Sequence, residues 1–228
     1  MTLSESNLDS MRARLKAAIA AGDKTAGVQL AEEALAAELS PLEFFQAVIE
    51  PVLQEVGERF ARLEIFLPEL MRAGMVVEAM QKQVLEPAIM AESSASNILG
   101  KVVIGTCQGD IHDIGKNMVA LMLQVNGFEV TDLGTNVAPR TFIDSAKSKQ
   151  ADIIAMSSLL TTSMPYIRDL VQLLDGFGLR DQFLVVAGGA AVTRDWAESV
   201  GIDGFGEDAV EAVDICRRLM QSKKEPGS

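Results

Sequence analysis

Gly105-Thr-Cys-Gln-Gly-Asp-Ile-His-Asp-Ile-Gly-Lys-Asn117 leaves an apolar run at Lys101 to Ile104, turns through glycines, and opens a segment with Ile114, Met118, Leu121, Met122 and Val125 at helical spacing. The spacing predicts a buried strand, a loop, and an amphipathic helix. His112, the only histidine of the chain, falls on that loop. In an open α/β sheet, the loops at the carboxyl ends of strands are where ligands bind.

Working outward from this loop, strand and helix signals alternate to the end of the chain. Strands are expected at 102–106, 128–133, 152–157, 183–187 and 203–205, with helices near 114–126, 140–149, 164–176, 193–200 and 207–221. The strands are rich in Val, Ile and Leu, as strands covered on both sides are. This pattern implies a doubly wound, five-stranded parallel sheet of the Rossmann-like or flavodoxin-like kind over 101–222. The polar residues 223–228 are expected to form a disordered tail.

Upstream, residues 1–90 read as a four-helix bundle. Leu8, Met11, Leu15 and Ile19 share the first face, and Leu30, Ala31, Ala34 and Leu35 the second. Ser40-Pro41 with Glu43 opens a third helix carrying Phe45, Val48, Ile49, Val52, Leu53, Val56 and Phe60. Pro68 opens the fourth, with Leu70, Ala73, Val77, Met80 and Val84, and Glu86-Pro87 is expected to end it. The small polar residues of 91–100 read as a linker. Periodicity alone is compatible with a packing or dimerisation role for this bundle.

Composition excludes several classes. With 228 residues, 48% of them hydrophobic, the chain can bury a sizeable core. A formal charge of -12 is wrong for non-specific binding to nucleic acid or to an anionic membrane, and no nucleic-acid or membrane partner is expected. Met1 to Asp9 lack the pattern of a secretion signal, and the two cysteines, Cys107 and Cys216, form no disulfide framework. These features point to the cytoplasm.

His112 has a carboxylate two residues before it. Asp110 can accept a hydrogen bond from one ring nitrogen and leave the other free to ligate a metal. One imidazole holds a bare ion poorly, and the chain has no CxxC, no HExxH and no second histidine. A single axial imidazole suits a metal already held by a macrocycle.

Three stretches, in order, resemble the cobalamin-binding domain signature. Asp110-x-His112-x-x-Gly115 is similar to D-x-H-x-x-G, Ser157-x-Leu159-x-Thr161-x-Ser163 to S-x-L-x-T-x-S, and Gly188-Gly189 to the double glycine after the fourth strand. Val56 to Phe60 and Glu64 to Leu70 resemble the helical cap of corrinoid methyl carriers and of cobalamin-dependent methionine synthase, over about residues 40–87. Leu63 stands where many members have glycine, which implies a cap loop of different shape.

The resemblance implies a division of labour. His112 is the lower cobalt ligand, Asp110 holds its distal nitrogen, and Ser163 holds Asp110, a relay for protons. Gly109, Ile111, Asp113 and Gly115 belong to the ligand loop and, with Leu159, to the cofactor site. Ser157 and Thr161 contact the nucleotide tail, Gly188 and Gly189 admit it, and Gly206 and Glu207 line the same channel. Phe60 and Leu67 cover the upper corrin face. The cobalt then cycles between Co(I) and methyl-Co(III). A substrate-specific methyltransferase loads the methyl group, and a second methyltransferase passes it to tetrahydrofolate or a thiol, with a reductive activase in support.

Other occupants of such a fold fit less well. A phosphate-accepting receiver needs an Asp where Ser157 stands, a flavodoxin needs a hydroxyl-rich first loop, and a dinucleotide site needs G-x-G-x-x-G. Within the cobalamin proteins, a sensor or the adenosylcobalamin-binding subunit of a mutase is the alternative. A sensor would carry an output module, and a mutase subunit would not need the methyl-sheltering bundle.

Overall fold

The computed structural model describes residues 5–92 and 98–224. The chain divides into two compact units, 1–92 and 93–228. Half of the expected linker, 93–97, lies outside the described residues, as do 225–228 of the expected tail.

The first unit is helical. It runs α1 (Glu5–Ala21), α2 (Lys24–Ala36), α3 (Pro41–Phe44), a π-helical turn (Phe45–Ile49) and α4 (Glu50–Ala61). It continues with α5 (Leu67–Met80), a second π turn (Gln81–Leu85) and α6 (Glu86–Glu92). Helix starts follow the sequence signals. Asp23 accepts from the Ala26 amide at 3.0 Å. At Ser40 a reciprocal capping box forms, Glu43 N–H to Ser40 Oγ at 3.2 Å and Ser40 N–H to Glu43 Oε2 at 3.0 Å.

The π turns correct two expectations. Pro87 does not end the last helix. The Glu86 N–H bonds back five residues to Gln81, and the helix continues through Pro87 to Glu92, so the start of the expected linker is helical. A widened turn moves the preceding carbonyl off the proline ring, the contact that otherwise breaks a helix. Pro51 follows the first π turn in the same way. It has no N–H for the Ala47 carbonyl four residues back, and Arg12 Nε donates to that oxygen instead, at 2.8 Å. The extra residue also rotates the buried face, so Phe44 is fully buried and Phe45 only half.

The second unit is the doubly wound sheet. Its strands are β1 (Gly100–Thr106), β2 (Phe128–Asp132), β3 (Ile153–Ser157), β4 (Leu184–Gly188) and β5 (Gly204–Gly206), all parallel, in the order β2-β1-β3-β4-β5. The intervening helices are α7 (Ile114–Val125), α8 (Pro139–Lys149), α9 (Pro165–Gly176) and α10 (Arg194–Val200), followed by α11 (Ala209–Lys224). Helix α11 outruns the expected boundary and takes Lys223 and Lys224 from the tail.

Strand alternation builds two cores. Val103, Ile154, Met156, Val185 and Ala187 face Phe142, Ile143, Ile167, Leu170, Leu174 and Ala197, from α8, α9 and α10. Val102, Ile104, Ile153, Ala155 and Val186 face Leu123, Val213, Cys216 and Met220, from α7 and α11. The strand order reverses between β1 and β3, and the loops after those two strands diverge there to opposite faces. Asp110 and His112 follow β1, and Ser157 to Ser163 end and follow β3.

Candidate functional site

The loop after β1 is shaped by hydrogen bonds rather than by packing. Gly109 adopts φ +79°, a left-handed conformation that glycine takes without a steric penalty. Thr106, fully buried at the strand end, donates its hydroxyl to the His112 carbonyl at 2.9 Å. Asp113 precedes α7 without a side-chain cap, and a Cβ at Gly115 in the first turn would meet open space.

Asp110 is fully buried, and its carboxylate is saturated. Oδ1 accepts the His112 main-chain N–H at 3.0 Å and faces His112 Nδ1 at 2.6 Å. Oδ2 accepts the amides of Leu159 at 2.8 Å and Leu160 at 3.2 Å, and Ser163 Oγ at 3.1 Å. Burial pushes the Asp110 pKa up, but the hydrogen bonds from His112, Leu159 and Leu160 outweigh it and hold the group below the usual carboxylate range. An ionised Asp110 places the imidazole proton on Nδ1 and leaves a lone pair on Nε2. The His112 side chain is 46% exposed.

Ser163 is buried and belongs to the site rather than to the cap of α9, which begins after Met164. Its hydroxyl also lies 2.8 Å from the Leu160 carbonyl and 2.7 Å from Ser158 Oγ. With Ser158 donating to Ser163, the one Ser163 proton is shared between the Leu160 carbonyl and Asp110 Oδ2.

At the far side, Ser157, Gly188 and Gly206 lie in register at the ends of β3, β4 and β5. A Cβ on Gly188 would stand 2.6 Å from the Gly206 carbonyl, and one on Gly189, at φ +106°, 2.4 Å from the Ser158 carbonyl. Both positions therefore require glycine. Thr161 and Glu207 are exposed at the same end of the sheet, and the Glu207 amide donates to Glu211 Oε2 at 2.8 Å. Phe60 and Leu67 lie in the helical unit and are exposed, as are Leu63, Phe66 and Met71 along the α4–α5 connection. Leu63 takes φ +60°, a left-handed conformation that favours glycine, in a helix end closed by Glu64 N–H to Arg59 O at 2.9 Å and Leu63 N–H to Phe60 O at 3.0 Å.

Several participants carried no sequence signal of their own. Ser158 is fully buried beside Ser163. Asn136, from the loop after β2, accepts the Gly109 amide at 2.8 Å and donates its own amide to the Asp110 carbonyl at 2.9 Å. Lys116 is buried and pairs with Asp132 at the end of β2 and with Asn117 Oδ1 at 2.6 Å. The turn residues Gly134-Thr-Asn136 were the one available hint, since Asn tolerates the φ of +55° found there.

No group of three or more His, Cys, Asp or Glu side chains able to hold a metal ion occurs among the described residues. A bare ion therefore does not suit this site. A flat metallated macrocycle does: one imidazole nitrogen is presented outward, and Ile111, Leu159 and Leu160 expose apolar surface beside it.

Known proteins agree with this chemistry. A B12 binding domain family matches residues 100–214, and a second B12 binding domain family matches residues 11–82. The chain is 41% identical over 210 residues to trimethylamine corrinoid protein 1 of Methanosarcina acetivorans, covering 91% of this chain and 96% of that protein. It is 45% identical over 168 residues to dimethylamine corrinoid protein 3 of Methanosarcina mazei, covering 74% and 99%. The solved monomethylamine corrinoid protein of Methanosarcina barkeri superimposes with a TM-score of 0.84 at 32% identity, over 92% of this chain and 99% of that one.

Fold and site thus define a B12-binding protein. The chain belongs to the corrinoid methyl-carrier proteins of methyltransferase systems, with a helical cap ahead of a Rossmann-like cobalamin-binding domain.

Proposed function

We propose that this chain carries methyl groups taken from methylated amines, on a cobalamin whose lower axial ligand is His112. The observation that carries the reading is the pair Asp110 Oδ1 and His112 Nδ1 at 2.6 Å, with the remaining ring nitrogen on a half-exposed side chain. The donor class is supported by relatives named for trimethylamine, dimethylamine and monomethylamine.

When bound, the cofactor supplies a cobalt centre that accepts and releases the methyl group. The chain supplies the rest. His112 Nε2 would hold the metal, and Asp110, accepting a hydrogen bond from Nδ1–H, would fix the ring's tautomer and orientation for that task. With no metal on it, Nε2 would be free to hold a proton, and the buried Asp110 carboxylate at Nδ1 would be its counter-charge. Ser163 and the Leu159 and Leu160 amides hold that carboxylate in place. Gly188 and Gly189, with Ser157, Thr161, Gly206 and Glu207, make way for the nucleotide tail. Phe60 and Leu67 are assigned to the upper face, where their apolar side chains shelter the methyl group from water.

Turnover requires partners. An amine-specific methyltransferase loads the carrier, a second methyltransferase unloads it to tetrahydrofolate or a thiol, and a reductive activase restores the reduced metal. Two buried, unpaired thiols suit the reducing cytoplasm in which such a system would work.

The test is a visible spectrum after reconstitution with hydroxocobalamin and removal of unbound cofactor, wild type beside His112→Ala. Retained colour in both with a shifted spectrum in the variant is the expected result. Identical spectra would sink the axial-ligand assignment.

A further inference from the structure

We propose that Asn136 is a positioning residue for the His112 ligand, acting through the backbone of Gly109 and Asp110. The inference rests on the reading of His112 given above. Asn136 is exposed and contributes nothing to either core, so packing does not explain its conformation. What it does is join two loops. Its Oδ1 accepts the Gly109 amide at 2.8 Å, and its own amide donates to the Asp110 carbonyl at 2.9 Å. The two peptide groups so held, 108–109 and 110–111, bracket Gly109 and Asp110, and the Asp110 carboxylate aims the imidazole.

The position matters because Gly109 is the residue of this loop with the most backbone freedom. Its φ of +79° is one of several open to glycine, and nothing in its own side chain selects it. The clamp selects it. Asn136 is in turn held on a rigid base. Thr106 N–H to Gly134 O and Val137 N–H to Thr106 O, both 2.9 Å, tie its loop to β1 on either side. Asp132, paired with buried Lys116, accepts the Gly134 amide at 2.8 Å. A ligand must be held within about 0.5 Å of its working geometry, and support of this kind provides that tolerance.

Two variants separate the side chain from the backbone. Asn136→Gly keeps the left-handed φ and the main-chain bond but deletes Oδ1. Asn136→Asp keeps an acceptor at the same place and tolerates the same φ. Two readouts are needed: hydrogen exchange of the Gly109 amide in the cofactor-free protein, and the proportion of histidine-ligated to unligated hydroxocobalamin by visible spectrum at fixed pH. Removing one hydrogen bond should speed Gly109 exchange about fivefold and lower the ligated-to-unligated ratio by a similar factor in Asn136→Gly, with Asn136→Asp close to wild type.

Faster Gly109 exchange with an unchanged spectrum would overturn the proposal, and so would an Asn136→Asp protein as impaired as Asn136→Gly. Failure of the underlying reading is seen separately. Wild type and His112→Ala would then give the same spectrum before any Asn136 variant is made, and the proposal would fall with it.

Discussion

One oxygen of Asp110 grips His112 twice, at the main-chain N–H at 3.0 Å and at ring Nδ1 at 2.6 Å. A carboxylate two residues away can thus fix both where the residue begins and which way its ring faces. The other oxygen is committed to the loop after β3, so the aim of the imidazole is tied to the central pair of strands.

The first prediction concerns acid. Asp110 is held below its ordinary pKa of about 3.9, so its contribution to stability is complete above that value and is lost as pH falls through the lowered one. In urea unfolding, the stability gap between wild type and Asp110→Asn should be constant above about pH 5 and narrow below about pH 4. A gap that stays the same down the acid limb would show that the ionised carboxylate is not what stabilises the loop.

Glycines 188 and 189 should resist any side chain. An added Cβ meets the Gly206 carbonyl at 2.6 Å or the Ser158 carbonyl at 2.4 Å, and both obstacles are backbone. Gly188→Ala and Gly189→Ala should each lose about 1–3 kcal/mol in chemical denaturation, Gly189→Ala more because of its φ of +106°. Both should retain less cobalamin through gel filtration than the parent.

Leu63 is a strained residue in a glycine conformation, at φ +60°. Leu63→Gly should stabilise the protein by about 1 kcal/mol, read as a raised thermal midpoint. An unchanged or lower midpoint would mean that the exposed leucine side chain offsets its own backbone cost.

These cases also show where sequence reading stops. The β/α alternation was legible because strands buried on both faces, such as Ile153 to Met156, have no polar positions, and Asp110 with His112 was legible because two residues carry the whole relation. The π turns were not. Pro87 reads as a stop whenever hydrogen bonding is taken to be regular, and a single extra residue per helix leaves no mark in the apolar spacing. Asn136 and Ser158 were invisible for another reason. Asn136 meets the loop after β1 only once β2 has paired with β1, and Ser158, bonded to Ser163 five residues on, reaches it only through Ser163 once β3 has paired.

Both thiols should be inert in the folded protein. Burial pushes Cys107 and Cys216 up to about 12, Cys107 with help from the Asp110 charge, so neither forms thiolate near neutral pH. A thiol reagent at about pH 8 should label neither until denaturant is added, and then both. Rapid labelling of native protein would place a cysteine at the surface.

The exposed apolar side chains along the α4–α5 connection need something to cover. If that is the upper face of the cofactor, Phe60→Ala and Leu67→Ala should hasten photolysis of bound methylcobalamin by opening the cage around the methyl radical. Photolysis rates equal to the parent would remove Phe60 and Leu67 from that role.

The donors to Asp110 Oδ2 lie 49, 50 and 53 residues further along the chain. A nascent chain that has emerged only as far as His112 carries the imidazole and the Asp110 carboxylate, but none of the donors that hold that carboxylate in place. A cofactor held through His112, as proposed, would therefore meet a fixed imidazole only once β3 has docked. Once captured, the cofactor returns the favour thermodynamically, since a ligand that binds only the folded state makes unfolding harder as its concentration rises above its dissociation constant.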